Sequence, residues 1–125
     1  MSSVALLTAA VLTVAISIVH SWIGERRLIG PLLAIEPRVG VLKSAFLRQV
    51  LRHAWHITSL AWTGMAVVLA ALALAPQGEA GRIAIIGIGV TFVLHGVAIL
   101  ALSRGRHIAW PVFLAVGALC FLAVR

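Results

Sequence analysis

"LRHAWHITSLAWTGMAVVLAALALA", residues 51–75, decides how this chain is read. Two histidines three apart, His53 and His56, stand beside Arg52 at its start, and no charged residue interrupts it afterwards. A hydrocarbon core about 30 Å thick takes roughly 20 residues of helix, so this stretch is long enough to cross one.

The rest of the chain agrees. Its 125 residues suffice for one domain. Hydrophobic residues make up 62% and charged ones only 10%, and the mean hydropathy is +1.14. In water such a chain would expose apolar surface that nothing covers, so the bilayer is its solvent. The net charge of +7 does not point to nucleic acid, because the basic residues gather in loops between apolar spans, where membrane topology accounts for them. Cys120 is the single cysteine, which excludes an internal disulfide and a CxxC redox pair. The first segment lacks a positive leader, and its apolar run is long for a cleaved signal, so it reads as a retained helix.

Four spans are expected, over residues 4–23, 51–75, 82–102 and 108–124, in a single transmembrane domain covering 1–125. Pro111 stands in the first turn of the last span, where proline is tolerated. The loops "PQGEAG" (76–81) and "SRGRH" (103–107) are short, and short connections make antiparallel neighbours. Spans two, three and four should therefore run up and down beside one another. The fold class is an all-α integral membrane protein, a four-transmembrane-helix up-down bundle.

Loop 24–50 carries Arg26, Arg27, Arg38, Lys43 and Arg48, with Arg52 adjoining, and the 103–107 loop carries Arg104 and Arg106. The opposite side has only Arg82 and Arg125. The positive-inside rule then places both basic loops in the cytoplasm and both termini outside, in a bacterial inner membrane. Two prolines and two glycines break "GPLLAIEPRVG" (30–40). From about residue 41, "VLKSAFLRQVLR" reads as an interfacial helical extension that runs unbroken into span two, giving one helix over 41–75. Its basic residues, Arg48 and Arg52 among them, are placed to contact anions or anionic lipid headgroups.

Residues three and four apart share a helix face. Span two shows a polar line of Ser44, Arg48, Arg52, His56, Ser59 and Thr63. Span one shows Thr13, Ser17, His20 and Ser21; span three shows Gly87, Thr91 and His95. Polar groups are expensive in hydrocarbon, so these lines should face the interior. Span four carries none and serves as a lipid-facing wall or a packing partner. At 1.5 Å per residue, His20, His56 and His95 lie about 5, 8 and 10 Å inside the same, cytoplasmic ends of their helices. Helix direction alternates, so random placement would have scattered them.

Neutral imidazole is the commonest transition-metal ligand, and three histidines with a carboxylate make a plausible donor set. The first expectation is thus a buried site near the cytoplasmic face. His20, Glu25, His53, His56 and His95 would be its metal ligands (zinc, iron or copper), or His20, His56 and His95 would supply axial ligands to haem b, for redox work or metal handling. The spacing HxxH is not the HExxH of zinc hydrolases, the carboxylates are too few for a di-iron centre, and no CxxCH is present for covalent haem. Two other classes stand beside it: a non-catalytic accessory or scaffold subunit of a larger membrane complex or homo-oligomer, and a small transporter or channel with a His/Arg relay. Whether the chain is an enzyme is left open, since no nucleophile is recognisable.

Overall fold

A computed structural model describes residues 2–75 and 78–125 of the chain. Among them every regular element is helical. Helix α1 covers Ser2–Gly24 and continues without a break through a π-helical turn, Glu25–Ile29, into a short α2, Gly30–Leu33. A 3₁₀ turn, Gly40–Lys43, precedes the long α3, Ala45–Leu74; α4 is Glu79–Ser103 and α5 is Trp110–Ala123. Three stretches are long and apolar enough to cross a membrane: Ser2–Leu33, Ala45–Leu74 and Glu79–Ser103. Helix α5, at 14 residues, rises only about 21 Å.

Two boundaries depart from the sequence reading. The break in loop 24–50 comes later than expected: the chain stays helical to Leu33 and is irregular over 34–39, because a wider turn absorbs Pro31. Proline has no N–H to give and crowds the preceding turn; here Gly30 N–H reaches back five residues to the Glu25 carbonyl instead. The extension before α3 is not continuous either. Ser44 is extended (φ −81°, ψ 122°), and its side chain accepts from Leu47 N–H at 3.3 Å, an N-cap that starts α3 afresh. Arg48 Nη1 then donates to the Leu42 and Lys43 carbonyls that the 3₁₀ turn leaves open, at 2.7 and 3.4 Å. The turn expected over 76–81 rests partly on Pro76 and Gln77, which lie outside the described residues.

Packing runs α3 on α1, α1 on α5, and α5 on α4, while α3 and α4 touch only sparsely. The prediction that spans two, three and four lie side by side therefore fails for α3 and α4. Small residues explain the choice. A Cβ on Gly89 would stand 2.9 Å from Cys120 Cβ, and one on Gly117 would press on Val93 and on the Gly89 carbonyl. Such pairs let two backbones approach closely, and dispersion between them replaces the hydrophobic drive that lipid does not supply. Helix α5 is consequently central, with Phe113, Val116 and Cys120 fully buried. It is a packing partner, not a lipid-facing wall.

Helix α3 shows how sequence sets the interior. Its buried residues Ser59, Trp62, Ala66, Leu69 and Ala73 recur at spacings of three and four, one seam along a helix. Opposite them on α1 lie Leu6, Ala9, Ala10, Thr13, Ile16 and Ser17. The buried hydroxyls satisfy themselves within their own helix: Thr13 donates to the Ala9 carbonyl at 2.8 Å and Ser17 to the Thr13 carbonyl at 2.7 Å.

Candidate functional site

Where α1 ends and α3 begins, the apolar seam gives way to a polar one. Ser21 on α1 and Glu25, first residue of the π-helical turn that continues it, are four apart, and the His56 ring lies against both. Its Nε2 is 3.1 Å from Glu25 Oε2 and its Nδ1 is 3.0 Å from Ser21 Oγ. A carboxylate can only accept, so Nε2 carries the proton; in the neutral ring Nδ1 is then the acceptor and the Ser21 hydroxyl donates. The second Glu25 oxygen receives Arg52 Nη2 at 3.0 Å. One carboxylate thereby holds two α3 side chains, one turn apart.

One turn deeper, His20 Nδ1 and Ser59 Oγ share a hydrogen bond of 2.9 Å. The Trp55 indole stacks on the His20 ring at 4.3 Å, with planes 7° apart, and its N–H donates to the His20 carbonyl at 3.2 Å. Gly24 makes this possible, because any Cβ there would overlap the indole. Cross-helix polar contacts in membrane proteins contribute about 0.6 kcal/mol each on average, so this set adds roughly 3 kcal/mol to the α1–α3 pairing.

The five expected metal ligands do not form one group. Among the described residues no three His, Cys, Asp or Glu side chains are placed to share a metal ion. Glu25 and His56 are together. His20 is on the neighbouring turn, held by Ser59 and Trp55. His53 points out of the seam, exposed, with Nδ1 donating to the Gln49 carbonyl at 2.7 Å. His95 turns back on its own helix and donates from Nδ1 to the Thr91 carbonyl at 2.8 Å. His107 lies in the 103–107 loop and accepts from Ala109 N–H.

Haem does not fit the histidines either. Trp62 meets the His20 ring edge-on at 4.9 Å and the His95 ring at 6.0 Å, so an indole bridges the two imidazoles that would have to face a macrocycle. Phe113 closes the same space from α5, 5.0 Å from Trp62 and 5.9 Å from His95. His56, the remaining axial candidate, has both ring nitrogens engaged.

Of the anion contacts expected, Arg48 and Arg52 stand one turn apart on α3 and line a groove of about 290 Å³ beside α2. Sequence reasoning put Ser21 on the interior line of span one but gave it no role, and it missed Gln49 and the inward turn of Trp55. Trp55 reads as an interfacial aromatic, yet its place three and four residues from Arg52 and Ser59 puts it on the interior face. That spacing was the available signal. Comparison of the chain with protein-family models, with curated proteins and with solved structures gives no match.

Proposed function

We propose that this is a small integral membrane protein of a bacterial inner membrane that crosses the bilayer four times, with both termini outside and the two basic loops in the cytoplasm. It acts as a non-catalytic binding subunit whose working surface is the cytoplasmic end of the α1–α3 pair. One observation carries this reading: the polar contacts that join the two helices are confined to one end, while the deeper hydroxyls of Thr13 and Ser17 bond only within α1. Among the described residues, the side-chain hydrogen bonds and ion pair that join α1 to α3 involve residues 20–25 and 52–59. Further along, Leu6, Ala9 and Ala10 and, on α3, Ala66, Leu69 and Ala73 are buried with no polar partner between them. A conduit needs polar groups through both leaflets, whereas a binding surface needs them at one. The short α5 joins the count of spans because it is apolar throughout and lies among the others, where neighbouring helices supply its surroundings.

The hydrogen-bonded run Ser21–His56–Glu25–Arg52 favours one other reading, a proton or ion relay. Two measurements test the pair. In oriented vesicles with Cys120→Ser as background, a cysteine at Ser3 should label from outside and one at Ser103 from inside; the reverse pattern would sink the topology. Reconstituted protein should leave proton leak across liposomes at the level of empty vesicles, and a leak abolished by Glu25→Gln would move the assignment to the relay.

A further inference from the structure

We propose that the groove between α2 and the first turns of α3 holds the phosphate headgroup of an anionic phospholipid, with Arg48 and Arg52 as its cationic wall. This rests on the membrane reading above and names the partner of that cytoplasmic surface.

The groove, about 290 Å³, is walled by Leu33, Ala34, Ala45, Arg48, Gln49 and Arg52. The volume suits a phosphate with its glycerol and leaves the acyl chains outside. Arg48 and Arg52 are four apart, so both guanidiniums project along one helix face, where like charges repel unless an anion lies between them. Glu25 answers Arg52 at 3.0 Å, but among the described residues Arg48 has only backbone carbonyls. Its charge is unmatched. Nearby, Arg26, Arg27 and Lys43 also have no carboxylate at ion-pair distance among the described residues, whereas Arg38 is neutralised by Glu36 at 2.8 Å. Gln49 adds an amide that can donate to a phosphoryl oxygen.

The choice of a lipid over a free anion comes from what surrounds these charges. The residues next to the wall in sequence are large, apolar and open: Phe46 is 70% exposed, and Ile35, Leu47 and Val50 are exposed too. A free phosphate gains nothing from them. A phospholipid gains on both counts, its headgroup on the arginines and its chains along the apolar flank.

The test uses the full chain, purified in mild detergent from membranes containing phosphatidylglycerol and phosphatidylcholine, with co-purifying lipid counted by mass spectrometry. Wild type should retain phosphatidylglycerol over phosphatidylcholine. Arg48→Gln should lower retention about fivefold, the weight of one basic residue at a charged membrane surface. Gln49→Glu, which replaces the amide donor of the wall with a negative charge, should lower retention at least as much, so one variant answers if the other misfolds. Arg38→Gln removes an equal charge outside the groove and should change retention less than Arg48→Gln. Equal losses in Arg38→Gln and Arg48→Gln would overturn the site in favour of diffuse attraction. Displacement of the lipid by glycerol phosphate or inorganic phosphate at matched ionic strength would overturn the lipid as source. If no preference appears while the cysteine labelling gives the expected topology, the groove fails and the membrane reading stands; if the labelling also fails, both fall.

Discussion

Alanine at position 24 places a methyl group where the Trp55 indole now lies. The backbone of α1 is continuous through this point, so the ring must move. In moving it gives up the 3.2 Å hydrogen bond to the His20 carbonyl and the stack on the His20 ring. The hydrogen bond is worth about 1 kcal/mol net. The stacked pair adds about 0.5–1.5 kcal/mol. Residual overpacking costs a further 1–3 kcal/mol where the site cannot relax. Alanine recovers up to about 1 kcal/mol over glycine in a helix interior. With that gain subtracted in full, the net expectation for Gly24→Ala is a loss of about 1.5–4.5 kcal/mol. Gly64, also helical and also within an apolar span, has nothing within 4 Å of an added Cβ. Gly64→Ala should therefore be neutral or stabilising by up to about 1 kcal/mol. Unfolding in mixed micelles against increasing SDS, followed by far-ultraviolet circular dichroism so that tryptophan environment does not bias the signal, compares the two. Equal midpoints for Gly24→Ala and Gly64→Ala would refute the claim that the glycine exists to admit the indole.

Three further outcomes follow from the same contacts. A double-mutant cycle of Glu25→Ala and Arg52→Ala should give a coupling of only about 0.5–1 kcal/mol, because both side chains are partly exposed, and the coupling should shrink as salt is raised. Trp62→Ala should cost about 2–3 kcal/mol, mostly from the cavity left among His20, His95 and Phe113, since lipid removes much of the transfer contribution; unfolding in mixed micelles reads it. Cys120 is fully enclosed at the α4–α5 contact, so a membrane-permeant maleimide should label it slowly in the native protein and fast in SDS; fast native labelling would contradict the packing of α5.

The starts of the helices were legible to within a few residues from the apolar runs, but the first helix runs on to Leu33, ten residues past its expected end. Partner choice was not legible. Loop length predicts that α3 and α4 adjoin, but the backbone approach at Gly89 and Gly117 outweighs it, and glycine in an apolar run gives no hint of which helix it will meet. The polar lines of α1 and α3 did turn inward: Thr13, Ser17 and Ser59 are buried, and Glu25, His56 and Arg52 came together. Equal depth of the histidines, however, does not imply a common centre. Depth fixes one coordinate; helix rotation and side-chain rotamer fix the others, and here Trp62 and Phe113 fill the space between rings while carbonyls of their own helices hold His53 and His95. The run through Glu25–Ile29 was hidden because "GP" reads as a stop, and only the wider turn before it lets Pro31 remain helical.

The position of α5 has a consequence for how the molecule is made. A ribosome delivers α1, α3 and α4 before α5, yet α5 is the wedge on which α1 and α4 both lean. The nascent chain can zip α1 to α3 early, through the Glu25 clamp and the alanine-rich seam, but α4 must wait in lipid with Gly89 and Gly96 uncovered until its mate arrives. A chain released after truncation within residues 104–109 would thus hold one completed hairpin and one orphan helix, a species that membrane quality control should find and clear.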